Sequence, residues 1–426
     1  MNTPTPNYKR ARFACYSAYF TMSSIFCVPP VLFVTLREMY GISYTLLGTL
    51  VLTNFCTQMG IDLIFTLFTK YFNPKIVVRA MPLITSAGLA IYALVPTLFP
   101  NLAYVGLVIG TIIFSVSAGL SEVLLSPTIA AMPSDNPQRD MSFLHSLYAF
   151  GVFSMVLFST LFLKIFGSEN WMFLILFLAV LPLLSAILFM ISPMPDMDTA
   201  ASGSSTRGTQ KRALGMAFCV GCLFFGSCAE NVMSNWISSF MENALGIDKA
   251  LGDILGVAMF AILLGIARIS YARFGKNINR ILLLGMMGAT VCYLVVGLST
   301  AVIPAFLACI LTGLCTAMLW PGMLILMEER IPSPGVAAYA LMAAGGDLGA
   351  SVAPQLMGII TDRVSASQAA ADLSLTLGIT PEQIGLKAGM LTCALFPLLG
   401  TILLILAIRY FKRNNLRDAV SDPASV

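Results

Sequence analysis

The sequence predicts an all-α membrane protein, with twelve transmembrane helices in two pseudo-symmetric six-helix bundles. Three observations predict it. Of 426 residues, 58% are hydrophobic and only 10% are charged, with a mean hydropathy of +0.87, whereas soluble domains carry about a quarter of their residues as charges. Apolar runs recur along the whole chain with short polar breaks, and each is near the roughly 20 residues that a helical crossing needs; a barrel would show alternating segments of about 10 residues instead. Finally, one frame repeats. Gly119-Leu-Ser-Glu-Val-Leu-Leu-Ser-Pro127 and Gly313-Leu-Cys-Thr-Ala-Met-Leu-Trp-Pro321 share Gly-Leu-x4-Leu-x-Pro at an offset of 194 residues (313 minus 119), with an acid, Glu122, in the first copy alone.

The first six helices are expected over 13–36, 43–68, 76–95, 101–130, 141–166 and 171–191. The second six follow over 213–240, 248–271, 281–298, 302–326, 335–362 and 381–410. Residues 1–191 therefore form an N-terminal bundle and 212–426 a C-terminal one, joined by a linker over 192–211. The linker contains Pro193, Pro195, Gly203 and several Ser and Thr, a composition that favours flexible chain. Three helix entries carry the polar cap that free backbone N–H groups require: Gly41-Ile-Ser43, Gly246-Ile-Asp248 and Gly378-Ile-Thr380. The last continues as Thr380-Pro-Glu-Gln383, a capping box with proline in the first turn. Pro29-Pro30, Pro127, Pro321 and Pro354 are expected to bend or loosen their helices.

Cytoplasmic loops are enriched in Lys and Arg, and that rule orients the chain. With the N-terminus inside, eighteen of the 24 basic residues fall on the cytoplasmic side and five outside (Arg37, Lys164, Lys249, Arg363 and Lys387), while Arg268 lies within a helix. An odd number of helices would scramble this bias. The expectation is a multi-pass protein of the cytoplasmic membrane with both termini in the cytoplasm. The basic start (Lys9, Arg10, Arg12) leads into the first crossing rather than a cleaved signal, because no small-residue cleavage site follows it.

Composition also excludes function classes. There is no phosphate-binding GxxxxGK[ST] loop, so ATP-driven transport is not expected, and no His/Asp/Glu cluster has metal-ligand spacing. The net charge of +4 is too small for a nucleic-acid signature. The ten cysteines fall almost entirely in apolar runs and act as small hydrophobes; Cys219-Val-Gly-Cys222 lacks the second pair or histidine of a metal or redox site. No cofactor is implied, and an enzyme is not expected.

Ionisable residues well inside helices are Asp62, Glu122, His145, Glu230, Arg268 and Asp347. Such groups are costly in a bilayer and mark functional positions by default. None falls in the third, sixth, ninth or twelfth helix, which suits those four to lipid-facing places. The charged helices belong to both halves, so a polar region is expected near the midplane, where transporters built from repeats bind substrate. Apolar surroundings favour the neutral form of a carboxyl; Glu122 can then load and release a proton, with His145 on the following antiparallel helix as its expected companion. Glu230 shares a helical face with Asn231, Ser234 and Asn235. Together with Trp236, Trp320 and Tyr148, whose rings can stack on a sugar or another flat ligand, Glu230, Asn231 and Asn235 form the candidate substrate set. Arg268 is a permanent cation that needs an acidic partner. Asp347, among the small residues of Gly345-Gly-Asp-Leu-Gly349, is either that partner or a substrate contact; Asp62 completes the charge network or is interfacial.

Several motifs together resemble the major facilitator superfamily, and within it the fucose/galactose/glucose–proton symporter branch. They are Gly119-Leu-Ser-Glu122 with Pro127 in helix four, Leu144-His-Ser-Leu-Tyr148 with Gly151 in helix five, Glu230 followed by Trp236 in helix seven, and Gly265-Ile-Ala-Arg268 in helix eight. The resemblance implies a secondary transporter working by alternating access, with a small-molecule substrate and protons as partners, embedded in lipid and monomeric. Helix one departs from the branch, with Thr21, Ser23 and Ser24 where the fucose symporter has an acid. Proton-coupled uptake of a sugar or similar small polar solute is the expectation. Proton-antiport export of an amphipathic compound and a transport-inactive membrane sensor of the same fold are the alternatives.

Overall fold

The computed structural model describes residues 7–26, 28–68, 71–135, 137–195, 210–331 and 335–414. Most of the linker, 196–209, lies outside them. In chain order the helices are α1 (Lys9–Phe26), α2 (Val28–Tyr40), α3 (Tyr44–Phe68), α4 (Pro74–Leu98), α5 (Ala103–Ala130), α6 (Pro137–Phe166) and α7 (Trp171–Met190). They continue as α8 (Gln210–Asn243), α9 (Lys249–Leu251), a π-helical segment (Gly252–Ala258), α10 (Met259–Phe274), α11 (Ile278–Leu298), α12 (Val302–Thr316) and α13 (Leu319–Arg330). The last are α14 (Gly335–Ser365), α15 (Gln368–Leu377), α16 (Pro381–Cys393) and α17 (Leu395–Arg413).

The twelve expected crossings are all present as helix; two are interrupted just before a proline, and the eighth passes through a π-helical segment that holds none. A proline lacks the N–H that the carbonyl four residues earlier would accept. Pro321 follows the interruption at Ala317 and Met318 between α12 and α13, and Pro397 lies just beyond the joint between α16 and α17; Pro29 and Pro30 lie in α2, and residue 27, between α1 and α2, is outside the described residues. Pro127 and Pro354 are carried inside unbroken α5 and α14. Among the described residues, ten helical stretches are long and apolar enough to cross a bilayer. The remaining two crossings are α6 and α14, 30 and 31 residues long. The short helix α15 was not anticipated: the connection over 363–380 winds into ten residues capped by the Ser367 hydroxyl.

The chain divides into two compact units, Met1–Ile42 with Thr53–Ala200, and Ser43–Leu52 with Ala201–Val426. Within the first, α4 packs on α5 and α7, and α1 on α6 and α7. Within the second, α8 packs on α14 and α17, α14 on α16, and α11 on α12, α16 and α17. The stripes turned outward are apolar at helical spacing: Phe173, Phe177, Val180, Leu184 and Ile187 on α7, and Leu284, Met287, Val291, Leu294 and Leu298 on α11. Neither stripe carries a charge, as a lipid-facing surface requires.

The repeated frame serves the same purpose in each unit. A Cβ on Gly119 would lie 3.2 Å from the Gln58 Cα, and one on Gly313 would strike the Phe260 carbonyl oxygen. Each glycine lets its helix approach the backbone of a neighbour, α3 in the first unit and α10 in the second. The helix entries also follow the sequence. Gly41, Gly246 and Gly378 have φ of 65°, 67° and 66°, the left-handed geometry in which glycine ends a helix without strain. Asp248 then accepts from the N–H groups of Ala250 and Leu251, and Thr380 and Gln383 complete the capping box. At α3 the Ser43 hydroxyl accepts from Leu46, but the first two amides go elsewhere. Tyr44 and Thr45 donate to the two carboxylate oxygens of Asp362 on α14, at 3.3 and 2.6 Å, within the second unit.

Candidate functional site

In the second unit the polar centre is built on a backbone defect. Because Pro321 has no N–H, the carbonyl of Ala317 has no donor in its own helix. Arg268 on α10 supplies one: its Nε donates to the Ala317 oxygen at 2.8 Å. The same guanidinium reaches α8, where its Nη2 donates to the Glu230 Oε1 at 3.3 Å. The planar fork of arginine allows one side chain to hold a carbonyl and a carboxylate at once. The partner of Arg268 is therefore Glu230 rather than Asp347. The other oxygen of Glu230, Oε2, is buried and has no hydrogen bond among the described residues. A carboxylate held on one oxygen and open on the other can receive a proton or a hydroxyl donor.

The residues around Glu230 on α8 bond chiefly along their own helix. Asn231 donates to the backbone and hydroxyl oxygens of Ser227, while Asn235 and the Ser234 hydroxyl donate to the Asn231 carbonyl. Asn231 and Ser234 are half-buried and Asn235 is buried. Trp236 departs from the expected stacking platform. It is fully buried, its Nε1–H donates to the Pro354 carbonyl at 3.2 Å, and its ring lies 5.5 Å from that of Tyr44. Both its polar tip and its apolar body are used inside the unit. Trp320 is half-buried and lies over the Gly346 backbone, beside buried Asp347. Gly349 in turn meets the Phe224 carbonyl of α8, so small residues bring Asp347 close to the helix that carries Glu230.

In the first unit Glu122 is exposed rather than enclosed. The preceding residue points the other way: Ser121 is buried and donates to the Ser117 carbonyl at 2.8 Å. The equivalent of Glu122 in the repeated frame, Thr316, is buried and bonded to the Thr312 carbonyl. His145 falls in α6, and its side chain lies outside the described residues. Asp62 is buried on α3. Tyr148 is half-buried against Phe26, 6.2 Å between ring centres, and Phe26 stacks on Phe55 at 6.0 Å. Glu122 and the Glu230–Arg268 pair thus belong to different units.

Three features were not among the expected site residues. Asn54, Gln58 and Ser115 form a buried network between α3 and α5, in which the Asn54 Oδ1 accepts from Gln58 at 3.0 Å and Ser115 at 2.6 Å. A cavity of about 10 Å³, room for about one water, is lined by the hydroxyls of Thr21, Thr85, Ser117, Ser121 and Ser185. Asp253, five residues into its crossing, is fully buried. Its setting between two glycines, Gly252-Asp-Ile-Leu-Gly256, resembles that of Asp347 and was the available signal.

Known proteins give a consistent picture. No curated protein sequence matches the chain. Its structure is similar to that of a bacterial homologue of the human lysosomal transporter Spinster, in an inward-facing and occupied conformation, with a TM-score of 0.76 and 12% identity over 96% of this chain and 99% of that one. A D-xylose–proton symporter gives 0.71 and 15%, covering 91% and 96%, and the E. coli fucose:proton symporter 0.59 and 12%, covering 94% and 99%. At such identities the likeness shows the fold alone. The sequence itself matches the Major Facilitator Superfamily model over residues 13–354, most of the chain and both repeated frames, and the chain belongs to that superfamily.

Proposed function

We propose that the protein is a proton-coupled importer of a sugar or a similar small, uncharged, polar solute, working by alternating access in the cytoplasmic membrane. The observation that carries this reading is the Glu230–Arg268–Ala317 arrangement: a charge pair inside two apolar spans, with one carboxylate oxygen left open. Ions in such spans are retained for function. The polar chemistry beside that pair on α8 is neutral, from Asn231, Ser234 and Asn235, and the first unit has its own neutral polar network of Asn54, Gln58 and Ser115. Hydroxyl-rich solutes suit amide and hydroxyl partners. Glu122 is the proposed proton-loading residue of the first unit. The motifs around Glu122, Tyr148, Glu230 and Arg268 support the fucose/galactose/glucose–proton symporter branch, and structural neighbours that move xylose or fucose with protons fit that assignment.

The test is uptake of labelled L-fucose and D-xylose into vesicles containing the purified protein, with and without an inward proton gradient. A gradient-dependent accumulation that falls on the order of tenfold or more in Glu230→Gln, the scale of losing one charged hydrogen bond, is the expected result. Accumulation in both Glu122→Gln and Glu230→Gln equal to the wild type overturns the mechanism. Efflux against a gradient, without uptake, identifies an exporter instead.

A further inference from the structure

The second unit holds another acid that the arrangement above does not use. Asp253 has no exposed surface, although it lies in a helical stretch, Lys249–Tyr271, that is long and apolar enough to cross a bilayer. It sits in the π-helical segment Gly252–Ala258, and π segments are rare and frequently found at functional sites. The Ser238 hydroxyl on α8 donates to its carboxylate, and Ser238 is itself buried. The flanking glycines make this approach possible. A Cβ on Gly252 would lie 3.3 Å from the Met241 Cβ, and one on Gly256 would strike the Met241 sulfur, so both keep the wide turn against α8.

The type of partner matters. A buried polar group needs hydrogen bonds in whichever form it takes. A serine hydroxyl can donate to a carboxylate and, after rotating, accept from a carboxylic acid. Ser238 therefore serves Asp253 in both protonation states. Glu230 has the opposite arrangement, since Arg268 is a donor only and permanently charged. Other titratable or charged groups on the elements packed against the turn are Glu230 and Glu242 on α8, with Lys211, Arg212 and the thiols Cys219, Cys222 and Cys228 further toward its start, Asp248 and Lys249 at α9, Arg268, Tyr271 and Arg273 on α10, and the thiols Cys309 and Cys315 on α12. Glu242 stands one helical turn from Ser238, and Lys249 one turn from Asp253.

We propose that Asp253, held by Ser238, is a proton-carrying site of the transport cycle, separate from the Glu230–Arg268 pair. This rests on the proton-coupled reading. Exchange of the Ser238–Asp253 bond between its two forms gives the π turn a reason to rewind, and rewinding by one residue swings the following face by about 100°. A proton at Asp253 thereby acts on α10, the helix that carries Arg268.

The full-length protein in vesicles provides the test, with infrared difference spectra recorded between acid and alkaline buffer. Asp253→Asn is expected to lose one protonated-carboxyl band, Asp253→Glu to keep it at a displaced frequency, and Ser238→Ala to shift it as the hydrogen bond is lost. Spectra of Asp253→Asn and Ser238→Ala that both equal the wild type overturn the proposal; if Asp253→Asn does not fold, the Ser238→Ala shift decides. In the same vesicles Asp253→Asn should exchange labelled L-fucose at equal pH but fail to accumulate it under a proton gradient, and full accumulation overturns the proposal. A wild-type protein whose accumulation ignores the gradient, while the Asp253 band is present, overturns the coupling reading instead.

Discussion

Arg268 illustrates what a single side chain decides. It satisfies a carbonyl that Pro321 leaves without a donor and a carboxylate on another helix, and the two bonds use different nitrogens of one rigid fork. Lysine keeps the charge but presents a single point on a flexible stem. Arg268→Lys is therefore expected to lose one of the two bonds, about 1.5–3 kcal/mol for a charged hydrogen bond, or roughly tenfold or more in uptake at limiting substrate. The same lost bond should lower stability by a comparable amount, read as earlier thermal unfolding in detergent. At this scale the sequence was partly legible. That Arg268 needs an acidic partner followed from its fixed charge, but the sequence offered only Asp347 as a candidate pair and placed Glu230 among the substrate contacts, because partner choice depends on helix rotation. Trp236 was misleading for a related reason: tryptophan has the same ring whether it meets a ligand or fills a core, and here it is fully buried with its N–H used.

At the scale of elements, the entries of α9 and α16 could be read locally, since a cap and its amides lie within three residues. The entry of α3 could not. Its cap, Asp362, stands more than three hundred residues away on α14 and takes the amides of Tyr44 and Thr45, while the Tyr44 hydroxyl donates to Glu382 at 2.6 Å. Gly358 permits the approach, because a Cβ there would lie 2.5 Å from the Tyr44 carbonyl oxygen. Removing a helix cap costs about 0.5–2 kcal/mol. Asp362→Ala is expected to speed amide hydrogen exchange at Tyr44 and Thr45, with Leu46, which uses the Ser43 hydroxyl, affected least. Equal exchange at all three would show that the carboxylate does not cap the helix. Of the prolines singled out in the sequence, Pro321 follows an interruption while Pro127 and Pro354 are carried inside unbroken helices; the joint before Pro397 and the helix α15 were not anticipated, the latter because a ten-residue amphipathic turn inside a connection carries too little apolar periodicity to stand out.

For the whole molecule, hydrophobic length and basic loops were enough to specify the helical class and the number of crossings, because a bilayer leaves few alternatives. The repeated glycine frame also carried over, with Gly119 and Gly313 each making a close approach inside its own unit. Orientation is the part open to direct measurement. A cysteine placed at Ser205 in the linker should react with a membrane-impermeant maleimide only in broken cells or inverted vesicles, whereas one at Ser168, beyond Lys164, should react in intact cells. Labelling on the reverse sides would invert the orientation that the basic residues imply. The same molecule also turns a fault to use. A proline inside a crossing ordinarily leaves a bare oxygen as a liability; at residue 317 that oxygen acts as a ligand, a socket for a cation made by omitting one hydrogen. Pro321 and Arg268 are thus one device, since restoring the missing amide would set a second donor against the guanidinium at that oxygen.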